Sequence, residues 1–179
     1  MQRDGLIGRR HELERLRAWL DGARDGSGRL VLCVGEPGIG KTRVGQELAG
    51  LALAQGVTTA WGRCVEADGA PPFWPWRQVL RSLEVDADTV LAGAVESPEE
   101  RFRLFDDVTQ AVLARGDPHG LLVILDDVHW ADEASLLVLR HLAGHLADAR
   151  TVVFATLRQP APGSVISRLL PDLLRSPGV

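Results

Sequence analysis

Residues 35–42 carry the pattern with the clearest chemistry in this chain. In order they are Gly35, Glu36, Pro37, Gly38, Ile39, Gly40, Lys41 and Thr42, and they fit the P-loop pattern G-x-x-x-x-G-K-[ST] in full. Glycines at these positions let successive backbone N–H groups point at one anion. Lys41 would then reach the β- and γ-phosphates of a nucleotide, and the Thr42 hydroxyl would hold Mg²⁺.

Lys41 is the single lysine among the 20 Lys and Arg residues of the chain. An ammonium is a compact charge on a flexible stem, whereas a guanidinium is a wide planar fork. A loop that wraps its backbone around a phosphate has room for the first and not for the second. The competing interpretation is an ordinary Gly/Pro turn, and the whole signature with its flanking segments argues against it.

Two adjacent acids follow the most apolar segment of the chain. Residues 121–125 are continuously apolar, as a central parallel strand should be, and they end in Asp126 and Asp127. Asp126 matches a Walker B aspartate that holds Mg²⁺, and Asp127 could orient or deprotonate an attacking water. Two alternatives stay open: a strand-end turn with solvated acids, or an Asp127 that only supports the first acid.

Arg158 ends another predicted strand, residues 151–157, where a guanidinium could contact the γ-phosphate. A surface arginine beside a Pro-rich loop is the alternative. Thr156 could lie near the same water or could simply fill a strand position. His129 could contact the phosphate region, but packing or capping is favoured for it.

Aromatic residues are concentrated in a Pro-rich loop, at Phe73, Trp74 and Trp76. Such residues could stack on a base. Aromatics in a loop of this kind more often pin the loop to the core, and that interpretation is favoured here.

Alternating strands and helices position these residues. Apolar runs predict strands over 30–34, 57–61, 121–125 and 151–157, with helical patterns between them. This alternation predicts an α/β fold with a parallel sheet. Because ligands bind at the carboxyl ends of such strands, Gly35, Asp126 and Arg158 should meet at one edge of the sheet.

Helix signals frame the rest of the chain. Ser97, Pro98 and Glu100 form a helix start with a serine cap. The buried face of that helix is predicted to carry Phe102, Phe105, Val108 and Val112. Five further helices are predicted. The first has Leu13, Leu16 and Leu20 on one face, and the second, after the P-loop, has Val44, Leu48 and Leu51 on one face. Two more span 76–83 and 164–174, and another begins at an Asp132 cap and carries Leu136, Leu139, Leu142 and Leu146.

Composition excludes several classes of protein. The net charge is −4 and the pI is about 5.7, which argues against a nucleic-acid-binding surface on this segment. The N-terminus is polar, and no apolar stretch approaches the roughly 18 residues of a membrane span. A cytoplasmic location is therefore expected, with Cys33 and Cys64 as buried thiols.

The chain resembles the nucleotide-binding module of STAND signal-transduction ATPases, a branch of the AAA+ proteins grouped with origin-recognition-like modules. It is especially similar to the ATPase domains of large LuxR-type bacterial regulators. The strings that carry the resemblance are Leu6-Ile7-Gly8-Arg9, Glu12-Leu13, Gly35 to Thr42, Trp61-Gly62-Arg63-Cys64, Pro72-Phe73-Trp74-Pro75-Trp76, Asp126 to Asp132, and Thr156-Leu157-Arg158.

The resemblance implies a three-layer P-loop sandwich with strand order 5-1-4-3-2. It implies ATP or ADP and Mg²⁺ as ligands, with Thr42 and Asp126 on the metal and Lys41, Asp127 and Arg158 in catalysis. It also implies an adenine pocket at Ile7, Gly8 and Arg9, and a nucleotide-binding segment that runs from Gly35 through Arg43.

The resemblance also implies an organisation. Residues 1–179 are expected to form one nucleotide-binding domain, with 1–28 as the N-terminal helix and adenine segment and 29–179 as the P-loop core. Strand 5, the helical lid, the sensor repeats and the DNA-binding domain of the family are expected to lie outside these residues. The P-loop strand should then lie at a sheet edge, which favours self-association.

The expected function is MgATP binding with slow hydrolysis, weak or absent in this chain, as a nucleotide-dependent switch in a bacterial signalling or transcription regulator. The alternatives are a DNA-associated AAA+ module of initiator type and a small-molecule kinase. The paired acids and the sensor-type strand argue against the kinase.

Overall fold

A computed structural model describes residues 10–66, 70–92 and 97–179, with side chains from residue 14 onward in the first helix. Its helices are α1 (Arg10–Arg24), α2 (Lys41–Ala54), α3 (Trp74–Ser82), α4 (Ala87–Val90), α5 (Pro98–Leu113), α6 (Glu133–Ala143) and α7 (Val165–Arg175). Its strands are β1 (Arg29–Val34), β2 (Thr58–Arg63), β3 (Leu121–Asp126) and β4 (Thr151–Leu157), and a single 3-10 turn spans Val128–Trp130.

The strands form one parallel sheet in the order β1-β4-β3-β2. The α/β class, the parallel sheet and the order 1-4-3-2 are thus confirmed. Every residue of β3 and β4 is buried, as continuously apolar central strands require. All four strands run in the same direction, so their carboxyl ends share one edge of the sheet.

Helices cover both faces of this sheet. Alternate side chains of β3 point to opposite sides, so Leu122 and Ile124 pack with α1 and α2, whereas Val123 and Leu125 pack with α3, α5, α6 and α7. The result is the three-layer sandwich that the resemblance implies.

β1 lies at the edge of the sheet that the described residues form, as predicted. Its pairing partner is β4, and on the other side the Leu30 amide donates a hydrogen bond to the Gly178 carbonyl at 3.1 Å. The strand that leads into the P-loop is therefore held mainly from one side.

The capping residues act as the sequence predicts. Ser97 and Glu100 form a reciprocal capping box at the start of α5, with Pro98 in its first turn. Asp132 caps α6 by accepting from the Ser135 amide at 2.9 Å. Ser164 caps α7. The side chain of Leu13 lies outside the described part of α1, whose Leu16 and Leu20 are buried.

One predicted core residue is wrong. Phe102 is 61% exposed, whereas Phe105, Val108 and Val112 are buried. Leu104 is buried in its place and belongs to the face of α5 that packs against the core. The ring of Phe102 lies edge-on to the ring of His141, with 5.2 Å between centroids.

The aromatic loop is anchored to the core, as favoured from the sequence. Trp76 is fully buried, and its indole N–H donates to the Ser135 carbonyl at 2.9 Å. Phe73 is also buried. Across the described residues, every helix is too short or too polar to traverse a lipid bilayer.

Candidate functional site

The loop between β1 and α2 holds its shape through glycines. Gly38 and Gly40 have φ values of 75° and 95°, a conformation that other L-residues adopt only with strain. Gly40 is the residue that precedes α2. The first amides of a helix have no partner within the helix and carry partial positive charge, so the N-terminus of α2 can receive an anion.

Lys41 lies at the mouth of this loop. Its side chain folds back so that Nζ donates to the Gly35 carbonyl at 2.7 Å and to the Glu36 carbonyl at 3.0 Å. The residue is only 8% exposed. A buried cation beside a helix N-terminus produces a strongly positive pocket, and a phosphate is the group that such a pocket attracts.

Thr42 and Asp126 meet across the cleft although 84 positions separate them in the chain. The Thr42 hydroxyl lies 3.1 Å from Oδ1 and 3.0 Å from Oδ2 of Asp126. Two oxygen ligands on neighbouring vertices of a Mg²⁺ octahedron lie about 2.9 Å apart, given metal–oxygen distances of 2.0–2.1 Å. The residues present therefore fit Mg²⁺ in both oxygen chemistry and spacing.

Thr156 connects the two acids. Its hydroxyl donates to Asp126 Oδ1 at 2.6 Å and accepts from the Asp127 amide at 2.9 Å. It arrives there because β3 pairs with β4 in a register that places Leu125 opposite Ala155. Asp126 is 1% exposed, and these hydroxyl contacts offset part of the cost of burying its carboxylate.

Asp127 occupies a different environment from Asp126. Its backbone is left-handed, with φ 58°, and its side chain is 25% exposed. The turn therefore sends the second carboxylate toward the cleft instead of into the sheet. The interpretation as a turn with two solvated acids is wrong for Asp126, which is buried.

Arg158 follows β4 directly and completes the cleft. A cavity of about 380 Å³ is lined by Pro37, Gly38, Gly40, Lys41, Thr42, Arg43, Gln46, Asp127 and Arg158. The guanidinium carbon of Arg158 lies 5.8 Å from the centre of the Trp130 ring. Three segments that are distant in sequence thus converge at the carboxyl ends of β1, β3 and β4, as expected.

Other members of the predicted nucleotide-binding segment differ in exposure. Ile39 is an exposed apolar residue of the loop. Arg43 forms an ion pair with Glu47 at 3.1 Å. Ile7, Gly8 and Arg9, the predicted adenine pocket, lie outside the described residues.

His129 packs beside the acids. Burial lowers the pKa of its imidazole, and Arg158 and Lys41 lower it further, while Asp127 acts in the opposite direction. Its Nδ1 lies 3.9 Å from Asp127 Oδ1, and its ring lies 5.0 Å from that of Trp130. The predicted packing role accounts for the Trp130 contact, and the ring is neutral at pH 7.

The two thiols differ in burial. Cys64 is buried, and burial together with the nearby acids, Asp132 first among them, raises the pKa of its thiol to about 12. It is therefore protonated at neutral pH. Cys33 is half-buried, so the prediction of buried thiols holds fully for Cys64 alone.

Sequence reasoning missed two residues of this region. Gln46 lines the cleft from α2. Gly45 faces the sheet, where an added Cβ would lie 3.4–3.6 Å from Trp61, Ile124 and Phe154. A glycine inside an otherwise good helix is the signal that could have indicated this close helix–sheet approach.

Residues 5–154 match a family described as an AAA ATPase domain. The chain belongs to this family. The match includes the P-loop, both acids and all of the sheet except the end of β4. AAA ATPase domains bind ATP and ADP, which agrees with the cleft described above. No curated protein matches the chain.

Solved structures agree with this AAA ATPase fold. A chain of Drosophila ORC bound to DNA is 19% identical with a TM-score of 0.60, and the similarity covers 87% of this chain and 38% of that one. The Aeropyrum pernix ORC2 protein, in ADPNP and ADP complexes, is 19% identical with a TM-score of 0.58, covering 97% and 47%. The AAA ATPase domain thus spans less than half the length of either chain.

Proposed function

We propose that this AAA ATPase domain binds ATP together with Mg²⁺ in the cleft formed by loop 35–43, Asp127 and Arg158, and hydrolyses it slowly. The observation that carries the proposal is the meeting of the Thr42 hydroxyl and the Asp126 carboxylate at 3.0 and 3.1 Å beside the buried Lys41 ammonium. Oxygen ligands for a divalent cation and donors for phosphate thereby share one cleft.

Each residue has a distinct task in this proposal. The amides at the start of α2 and the Lys41 ammonium bind the phosphates. Thr42 and Asp126 hold Mg²⁺, which when bound neutralises charge on the phosphate oxygens. Asp127 orients the attacking water with its partly exposed carboxylate, and Arg158 reaches the terminal phosphate.

Substitution of Thr42 tests the proposal most directly. Thr42→Val keeps the shape of the side chain but removes the hydroxyl, whereas Thr42→Ser keeps the hydroxyl. Affinity for a fluorescent ATP analogue should rise with Mg²⁺ in the wild type and in Thr42→Ser. In Thr42→Val that Mg²⁺ dependence should fall by roughly tenfold or more, the loss of an interaction worth about 1.5–3 kcal/mol.

Calorimetric titration of ATP, with Mg²⁺ and with EDTA, gives the same comparison without a label. Equal Mg²⁺ dependence in the valine and serine variants would contradict the assigned metal site. A wild-type chain that binds no ATP would overturn the proposal as a whole.

The role in a larger protein is a separate matter. The similar structures are proteins named ORC, one of them bound to DNA, so they favour the DNA-associated initiator type as a second candidate over the signalling or transcription switch. The two structures described above name neither a signalling switch nor a kinase. The net charge of −4 argues against direct DNA contact by this segment. The initiator type therefore remains a second proposal, after MgATP binding and hydrolysis.

Fluorescence anisotropy of a labelled DNA duplex tests this second candidate. Salt-sensitive binding that appears with MgATP and disappears with ADP is expected from a nucleotide-dependent DNA module. The same anisotropy with either nucleotide would remove the initiator type as an explanation for this domain.

A further inference from the structure

Three side chains with metal-ligating chemistry meet far from the nucleotide cleft. Asp106 lies on α5, His141 lies in the last turn of α6, and His145 follows that helix. One ligand atom from each of the three lies within 4.8 Å of the other two. The convergence joins two helices that are distant in sequence.

The two histidines lie close together at the end of α6. His141 is in the last turn of the helix, and His145 is in the turn that follows it, where the His145 amide donates to the Leu142 carbonyl at 2.9 Å. The imidazole rings of His141 and His145 lie 4.8 Å apart between centroids. α5 packs against α6 and brings the Asp106 carboxylate to the same place.

His145 donates one ring N–H to the backbone. Its Nδ1 lies 2.9 Å from the His141 carbonyl oxygen. A carbonyl can only accept a hydrogen bond, so Nδ1 carries a proton, and Nε2 is the ring nitrogen that is left for a metal ion. Donation of the second ring N–H to a backbone carbonyl is the arrangement that orients most metal-binding histidines.

His141 contributes a buried nitrogen. Its Nε2 is shielded from solvent and has no hydrogen-bond partner among the described residues. Asp106 Oδ1 lies 3.6 Å away, which is too long for a hydrogen bond. A buried nitrogen left in this way costs about 1–3 kcal/mol, and a ligand that it coordinates would offset that cost.

The surroundings hold His141 in place. Its side chain is 13% exposed, and its ring lies near those of Phe102 and Phe105, with centroid distances of 5.2 and 6.4 Å. The exposed Phe102 thus keeps one ring contact, with His141. Asp106 and His145 reach solvent and leave an entry path.

We propose that Asp106, His141 and His145 form a binding site for a divalent transition metal ion, with Zn²⁺ the best match. Two imidazoles with one carboxylate suit zinc, and imidazoles are poor ligands for Mg²⁺ or Ca²⁺. Ligand atoms about 2.0–2.1 Å from a tetrahedral Zn²⁺ lie about 3.3 Å apart. The 3.6 Å between His141 Nε2 and Asp106 Oδ1 needs to close by only a few tenths of an ångström.

The zinc site and the Mg²⁺-binding residues lie at opposite ends of α6. The helix starts at Glu133, shortly after Asp126 and Asp127, and about 12 Å of helical rise separate position 133 from position 141. Zn²⁺ would therefore tie α5 to the carboxyl-terminal end of α6 without displacing the nucleotide.

The test uses Zn²⁺ itself with chelator-treated, nucleotide-free protein. Calorimetry should give one site per chain, and Asp106→Asn and His145→Gln should each weaken it at least tenfold. Both positions reach solvent, so the variants should fold. His119→Gln is the matched control, because His119 is an exposed histidine outside the cluster.

Two further readouts separate this site from the nucleotide cleft. Co²⁺ as a probe should give the visible absorption of a low-symmetry site in the wild type and in His119→Gln, and lose it in the two cluster variants. Zn²⁺ should raise the unfolding temperature in the same pattern. Wild-type-like Zn²⁺ affinity in both cluster variants, or a wild-type chain without a one-to-one site, would overturn the proposal.

Discussion

At the scale of single residues, Thr156 determines how the two acids can act. Its hydroxyl donates to the Asp126 carboxylate and accepts from the Asp127 amide. Asp126 is thereby held toward Thr42, while the left-handed turn at Asp127 directs the second carboxylate into the cleft. The neighbouring acids should consequently fail in different ways when they are neutralised.

Asp126→Asn and Asp127→Asn are predicted to separate metal binding from hydrolysis. Asp126→Asn should lose the Mg²⁺ dependence of ATP binding, because a neutral amide is a weak metal ligand. Asp127→Asn should bind MgATP normally but release phosphate roughly 10²- to 10⁴-fold more slowly, the usual contribution of a positioned acid–base group. Calorimetry and a phosphate-release assay measure the two effects.

Asparagine is a matched replacement at both positions. It has the shape of aspartate, and it tolerates the left-handed backbone of residue 127. Identical defects in the two variants would show that the roles cannot be divided in this way.

Arg158 is predicted to distinguish ATP from ADP. It lines the cleft at the end of β4, together with Asp127 and the loop that is proposed to bind the inner phosphates. Arg158→Ala should lower the ATP-over-ADP preference by about 1–3 kcal/mol, the range for a charged hydrogen bond. Parallel titrations of both nucleotides measure the difference.

Arg168→Ala serves as the control, because Arg168 is an exposed arginine of α7 that does not line the cleft. Equal losses of ATP and ADP affinity in Arg158→Ala would indicate general electrostatics and remove the sensor role.

At the scale of elements, the start of α6 is fixed by its capping residue. Asp132 accepts from the Ser135 amide and from its hydroxyl, and Ser135 is buried. Asp132→Ala should lower the free energy of unfolding by about 1–2 kcal/mol, the cost of losing a helix cap. Asp132→Asn should retain most of it, since an amide oxygen also caps. Urea titration checks both values, and equal stability of the alanine variant would contradict the capping role.

The sequence predicted elements well where the signal is local. The bounds of β4 are those expected, and Ser97 and Asp132 cap the helices that they were predicted to cap. The prediction that Phe102 is buried was wrong, because the sequence alone does not show where the buried face of a helix ends. The ring of Phe102 contacts His141, which belongs to another helix.

The candidate site was predictable in part for the same reason. The P-loop is a contiguous pattern, so its residues could be named from the sequence. The role of Thr156 was left open because it depends on the register between β3 and β4, a long-range pairing. The close packing of Gly62, where an added Cβ would lie 2.4 Å from the Pro75 carbonyl, likewise depends on where α3 docks.

At the scale of the whole molecule, nucleotide binding should stabilise the fold. A ligand at 100 times its Kd contributes about 2.7 kcal/mol. For a domain of this size each kcal/mol shifts Tm by about 2–4 °C, so MgATP should raise Tm by roughly 5–11 °C. Thermal unfolding followed by circular dichroism measures the shift.

Lys41→Ala is the variant for comparison. Loss of its charge-assisted contact should weaken ATP binding by roughly 10- to 1,000-fold, so about half to nearly all of the shift at the same MgATP concentration should vanish. A full thermal shift in Lys41→Ala would mean that the stabilisation arises away from the P-loop.

Lys41 is also the only side chain of the protein that carries a primary amine. Because no other side chain is a primary amine, an acylating reagent can attach only there or at the N-terminal amine. The ammonium is nearly buried and is held by two carbonyls, so it reacts only when the loop releases it. The rate at which the tryptic peptide that contains Lys41 gains the mass of the acyl group would therefore report how often the loop opens. Bound ATP should lower that rate.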